Sequence, residues 1–389
     1  MNLTKNLKNL SSKTQAFSKK YDFITILPEI LFRMKKSWLI LTVFVVILAC
    51  KKEAEKIVGT NENGEKLVIN EAGDTIVWSE TDSLKIQENP VEEPLTALTK
   101  NEDESYTFRY NLKKGETYPF LLKTKQEQSM QSNGQSLNLT SERTVEFDYF
   151  VEDVSKNIFK LKATFKGFSE KFKGPNGQTM SYDTKAAKPA DKDVAQSWTI
   201  YKSIIGQSFM MEVDNKGKVI SVNGLNSVIS NALSKLKSEF NSEEQNMIKD
   251  LLNASLNNEA IKSQFEESLN IFPEKNMKIG EQWSDSQNLS EGPVKGTNKV
   301  TRTFKSFENG KAKITVDGTQ NVNSNETKQG ITMNMNAKST INGYVDLDME
   351  TGWIRKGSIT KKESINTTYQ KGTEKESESG TSTTVTTVN

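Results

Sequence analysis

From residue 105 onward, run after run places apolar side chains at every second position. Val145, Phe147, Tyr149 and Val151 alternate with Glu146, Asp148 and Glu152, and Phe159, Leu161, Ala163 and Phe165 alternate with Lys160, Lys162 and Thr164. A period of two puts the apolar side chains of a strand on one face and the polar ones on the other. Such strands build antiparallel sheets with one buried face. Strands of a parallel sheet, covered on both faces, read as continuous apolar runs instead. The hydrophobic content of 34% suits one-sided sheets and a polar linker.

Turn chemistry joins these runs. The polar Asp153 to Asn157 segment closes a hairpin between them. Asp214-Asn215-Lys216-Gly217 closes a second one, between Phe209–Val213 and Val219–Val222, with glycine free to take a positive φ. Two regions break the alternation. Val194, Trp198, Tyr201 and Ile205 share one helical face, with Asp191 as cap and Gly206 as stop. Residues 225–272 carry three helical stripes; Ser242-Glu243-Glu244-Gln245 reads as a capping box and Pro273 ends the last helix.

The strands after this insert echo those before it. Gly115-Glu116-Thr117-Tyr118 returns as Gly280-Glu281-Gln282-Trp283, the hairpin at 144–168 as 299–322, and the hairpin at 209–224 as 344–354. Ile359–Tyr369 and Thr383–Val388 form the last hairpin. The expected fold class is α+β, with two antiparallel β modules (a curved sheet or half-barrel) flanking a helical insert. The expected division is 105–224 for the first module with one helix, 225–279 for the insert and 280–389 for the second module. Residues 50–104 read as a linker with one small hairpin, Lys66–Ile69 with Thr75–Trp78.

The residue inventory excludes much chemistry. The chain has no histidine, and so lacks the commonest general base and zinc ligand. Its single cysteine rules out an internal disulfide and a Cys-His nucleophile. No phosphate-binding or dinucleotide motif occurs. The net charge of +2 gives no field for nucleic acid. Asp214–Lys218 has lysines where a calcium loop needs carboxylates, and reads as a turn. Asp346 and Asp348 read as solvated. Met180-Ser181-Tyr182-Asp183-Thr184 either caps a turn or touches a ligand. The chain is expected to be no enzyme and to need no metal or cofactor; a hydrolase is the third-ranked reading.

The lone cysteine has a specific setting. Met34-Lys35-Lys36 precedes the apolar run Trp38–Leu48, about half of what a membrane-spanning helix needs. The run ends Ile47-Leu48-Ala49-Cys50. Basic start, short apolar core and small residue mark a signal peptide over 34–49. The end resembles the lipobox of bacterial lipoproteins, which implies lipidation of Cys50. Residues 1–33, with their own apolar patch Phe23–Leu27, do not suit such a signal; they read as an upstream extension, with translation starting at Met34. Lys51-Lys52-Glu53-Ala54-Glu55 resembles the surface-export signal of some Bacteroidota lipoproteins or serves as a solvated tether.

Met180–Thr184, Phe209–Gly224, Phe272-Pro273 leading into Gly280–Trp283, and Tyr344–Trp353 together resemble a family of Bacteroidota lipoproteins defined only as a domain of unknown function, over roughly 105–389. The resemblance supplies no catalytic residues. A curved sheet with helices against it also looks like the lipoprotein-carrier half-barrels, which hold acyl chains. The expected function is therefore a cell-envelope lipoprotein, placed at the outer membrane. Its partners are the membrane, through Cys50, and the lipoprotein export and processing machinery. An apolar or lipidic ligand would lie between sheet and helices, lined by Phe147, Tyr149, Phe159, Phe165, Leu251 and Phe265. The alternative is an interaction or scaffold lipoprotein with a filled core. Replacing Cys50 by alanine is expected to leave the precursor unprocessed or release it from the membrane fraction; unchanged fractionation and unchanged gel mobility would refute lipid attachment there.

Overall fold

The computed structural model describes residues 96–389, apart from 133, 134, 176, 292 and 329, and three short strands between 57 and 77. Cys50, the signal segment and the upstream extension lie outside the described residues. The short strands are β1 (Ile57–Thr60), β2 (Lys66–Ile69) and β3 (Thr75–Val77). β2 and β3 form the hairpin expected in the linker, with β1 added on the other side of β2.

Alternation delivers long strands. The first β module holds β6 (Thr117–Ser132), β7 (Gln135–Ser155), β8 (Ile158–Lys173), β9 (Thr179–Asp183), β10 (Ser208–Asp214) and β11 (Val219–Asn223). The second holds β12 (Gln282–Glu291), β13 (Val294–Glu308), β14 (Lys311–Lys328), β15 (Ile331–Asp348), β16 (Ile354–Lys371) and β17 (Glu374–Val388). All pair antiparallel in one sheet ordered β11-β10-β8-β7-β6-β17-β16-β15-β14-β13-β12, with β9 beside β8. The sheet is open. The two modules are not separate bodies: β17 pairs with β6, from Val388 opposite Leu122 to Glu378 opposite Ser132.

The echo between the modules extends to hydrogen bonds. Gly115 and Gly280 both have positive φ. Gly115 N donates to Val151 O, and Val151 N to Glu116 O; Gly280 N donates to Phe304 O, and Phe304 N to Glu281 O. Lys156 and Asn157, both left-handed, make the tight turn between β7 and β8; Asn309 and Gly310 repeat it between β13 and β14. The turns after β10 and β15 also match. Asp214 Oδ1 accepts from Lys216 N and Lys218 N, and Asp348 Oδ1 from Glu350 N and Thr351 N.

One segment holds both of these turns. β4 (Leu98–Lys100) pairs with β5 (Tyr106–Phe108). Ala97 N and Leu98 N donate to Glu350 O and Met349 O, Asn111 N donates to Thr351 O, and Tyr110 N donates to Asn215 O. Ala97 and Leu98 are fully buried. The folded domain therefore starts before residue 105, and the linker reading of 50–104 is too long at its C-terminal end. Two apolar residues are too few to show as a pattern, and their partners lie far along the chain.

Four helices cover part of one sheet face: α1 (Lys192–Ile204), α2 (Leu225–Leu236), α3 (Ser242–Ser255) and α4 (Asn258–Leu269). Asp191 caps α1 by accepting from Asp193 N and Val194 N. The capping box of α3 sits one residue earlier than its sequence pattern suggests: Asn241 and Glu244 exchange the two bonds. The helices pack on β8 to β11, while β14 to β17 pack substantially with their sheet neighbours. The two edges differ accordingly. α4 lies against β11, whereas among the described residues β12 pairs with β13 alone, ten residues in unbroken register.

The matched turns predict unequal glycine substitutions. A Cβ on Gly217, at φ +93, would stand 2.0 Å from the Leu269 carbonyl oxygen, whereas one on Gly115, at φ +85, meets nothing within 4 Å. Gly217→Ala should therefore cost more than about 3 kcal/mol, and Gly115→Ala only the left-handed penalty of about 1–2 kcal/mol. Urea midpoints would measure both; equal losses would contradict the close approach.

Candidate functional site

The rings expected to line a ligand space between sheet and helices touch one another instead. Phe147 lies 4.8 Å from Phe165 and 5.5 Å from Phe265; Tyr149 lies 5.7 Å from Phe265 and 5.4 Å from Trp353. Phe159 belongs to the same buried cluster. Leu251 is half-buried on α3, while its neighbour Leu252 points into the core. Edge-to-face rings at these separations are in contact, so at this place side chains fill the space expected for an acyl chain. The alternation could show which face is inward, but not whether anything besides side chains occupies it.

One polar atom is stranded in that core. Tyr149 is fully buried and its hydroxyl has no hydrogen-bond partner among the described residues. Burial pushes its pKa well above the ordinary phenol value, so it stays protonated.

Tyr182, from the turn motif at 180–184, is also used internally. Its hydroxyl donates to Glu170 Oε2 at 3.0 Å, and Glu170 Oε1 accepts from Arg143 at 2.7 Å. Glu170 is buried, and Phe168 stacks on Tyr201 at 3.8 Å beside it. Trp198 Nε1 and Lys202 Nζ donate to the carbonyls of Asp183 and Thr184, fastening α1 to the motif. Among the described residues no group of acidic or cysteine side chains could hold a metal.

The unassigned feature is the rest of the same sheet face, beyond the helices. Residues directly opposite in register share a face, so rows can be followed across strands. One row runs Leu137, Met130, Gly380, Ile365, Ala337, Val322, Gly296, Leu289, over eight strands and about 33 Å. It is apolar throughout. Leu137 is 45% exposed and Met130 37%. The opposite face is polar: Asn334, Asn336, Lys338, Thr340 and Asn342 alternate with Met335, Ala337, Ser339 and Ile341 on β15. Small polar side chains there bond across strands, as between Asn336 and Asn323 at 2.7 Å and between Thr327 and Thr332 at 2.9 Å.

The adjoining row toward the helices is polar: Leu139, then Gln128, Ser382, Glu363, Ser339, Gln320, Asn298 and Gln287. Its charge is tied up. Glu363 Oε1 accepts from Ser339 at 2.9 Å and lies 3.3 Å from Lys361, which donates to Gln320 Oε1 at 3.1 Å. At the β7 end a shallow depression is lined by Gln126, Gln128, Leu139, Ser141 and Phe172. Two mixed rows follow, one through Gln126, Lys361 and Ile341 and one through Arg143, Ile359 and Val316; beyond them Val145, Leu122, Val388, Gly357, Val345, Ile314 and Phe304 form another apolar row, joined to the core. The face is therefore banded, with a polar belt between two apolar stripes. Banding depends on register, which sequence alone does not supply.

The fold and this face belong to a protein of a family without assigned function. Residues 156–354, just over half of the chain, match the model of a family described as a family of unknown function (DUF6263), and the chain belongs to that family. No curated protein matches. Solved structures with some likeness include lipovitellin, in a study of lipid–protein interactions (10% identity, 71% of this chain, 25% of that chain, TM-score 0.32). Others are Pseudomonas aeruginosa OccK5 (OpdH) (4%, 71% and 99%, TM-score 0.21) and Salmonella typhi OmpF in complex with daunomycin (6%, 72% and 100%, TM-score 0.16). This chain thus spans a quarter of the lipovitellin chain. Among the described residues no helix is long and apolar enough to cross a membrane, which says nothing of strands.

The stranded hydroxyl yields a test of the packed core. Tyr149→Phe should leave the unfolding free energy unchanged or raise it by up to about 3 kcal/mol, since only an unpaired polar atom is removed. A clear loss of stability in urea titration would mean that the hydroxyl has a partner.

Proposed function

We propose that this protein is a cell-envelope lipoprotein of Bacteroidota type, held at the outer membrane by lipid on Cys50, and that the banded sheet face binds an apolar or lipidic ligand. The observation carrying the proposal is the apolar row from Leu137 to Leu289, open to solvent at its Leu137–Met130 end and closing to buried Ala337 and Val322 in its middle, on a sheet whose other face is polar. Neighbouring apolar side chains left against water at the open end of such a row, Leu137 and Met130, mark an interaction surface. Acyl burial contributes about 0.8 kcal/mol per methylene, so a chain lying along part of the row would bind usefully. No enzymatic step is assigned. The Ile47-Leu48-Ala49-Cys50 pattern supports the anchor. A second reading, a lipoprotein that binds another protein, is favoured by the outer edge of β12, which no described strand pairs.

The test is organic extraction and mass spectrometry of the full chain purified mildly, beside the Leu137→Glu/Met130→Glu variant. Both side chains are exposed enough to be changed without disturbing the core. Co-purifying lipid that is lost from the variant is the expected result. No lipid in either protein, with no gain in fluorescence of a neutral apolar dye, would reject the lipid reading in favour of the second.

A further inference from the structure

Resting on the ligand reading above, we infer that the amphiphile taken by this face carries an uncharged hydrogen-bond donor, a hydroxyl or an amide N–H, seated on the polar belt with its apolar chain on the adjoining row. Two independent observations lead there. Beyond Leu139 the belt consists of neutral amides and hydroxyls and one anion, Glu363, which is held by Ser339 and by Lys361 of the next row, itself bonded to Gln320. The charged pairs farther in, Asp285 with Arg302 and Glu170 with Arg143, are likewise closed. A carboxylate or phosphate head would thus find no cation on the belt without breaking an existing pair. Separately, Asn298 Oδ1 is buried with no partner among the described residues. A buried acceptor without a partner is costly to maintain, and it calls for a donor. An ester oxygen cannot supply one; a glycerol or sugar hydroxyl or an amide N–H can.

The spacing fits. Belt and apolar row lie two residues apart along each strand, about 7 Å. A polar head at Asn298 would therefore set its first methylenes over Gly296 and Leu289, both partly exposed at the β12 end of the row. The glycines at 380 and 296 leave the apolar row without side chains at two of its eight positions.

The experiment is displacement of Nile red, a neutral dye, from the purified full chain by 1-monooleoylglycerol or by oleate. The two share an acyl chain and differ in the head. Monooleoylglycerol should bind at least about tenfold more tightly than oleate at pH 8. The Gln128→Leu/Asn298→Leu variant should lose most of that preference while keeping its Nile red affinity, which reports an intact apolar row; one or two lost hydrogen bonds correspond to about tenfold in affinity. Asn298→Gln, which keeps the amide, should retain the preference. Equal affinities for the two lipids, or a preference indifferent to the variant, would overturn this inference while leaving the ligand reading intact. Absence of binding by dye and both lipids would overturn the ligand reading and this inference together.

Discussion

The ladder between β6 and β17 is the contact on which the rest of the structure depends. Each module alone is a meander whose inner end would expose a row of unpaired backbone groups. Pairing those ends turns two modest sheets into one continuous surface, and Leu121 and Asn389 extend the ladder by exchanging bonds at its base. The hydrogen bonds are individually modest, but every row that crosses the sheet passes through this seam. Because the paired strands come from opposite ends of the domain, the seam costs chain entropy to close and is expected to form late.

The structure divides its stabilisation unevenly. Toward the turns at 214–218 and 348–353, the sheet is sealed by helices, by the 97–112 segment and by a dense ring cluster around Phe108, Phe147, Tyr149 and Trp353. Toward the opposite hairpins no described helix packs substantially on it, although Val322, Ser324, Ala337 and Ser339 are buried there. There, cohesion comes from backbone ladders and from cross-strand bonds among small polar side chains on the outer face. A sheet that needed only stability would not keep apolar side chains on the inner face of that half.

Much of the architecture was legible in the sequence because strand faces and turns are local. The alternation at 145–165, the Asp-Asn-Lys-Gly turn and the caps of the helices each involve residues close in the chain. So does the echo of Gly115-Glu116 in Gly280-Glu281, which reappears as identical backbone bonds. What was not legible is relational. The partner of the Ser- and Thr-rich last strand could not be read, because its side chains carry little that distinguishes one neighbour from another. Phe147, Tyr149, Phe165 and Phe265 were correctly inward, yet an inward aromatic ring reads the same whether it meets a ligand or another ring. The polar belt was invisible because Gln128, Glu363, Gln320 and Asn298 come from four distant strands and become a row only through register.

The clasp formed by residues 97–112 also sets how the domain bears mechanical load. A pull from the N-terminal side enters at Ala97 and Leu98, whose amides are bonded to the turn of the second module, while Tyr110 grips the turn of the first. The strain is shared between both halves of the sheet before it reaches any strand. Such a joint yields at a rate set by breaking several bonds at once rather than one after another, so the sheet is shielded from tugging transmitted along the preceding chain.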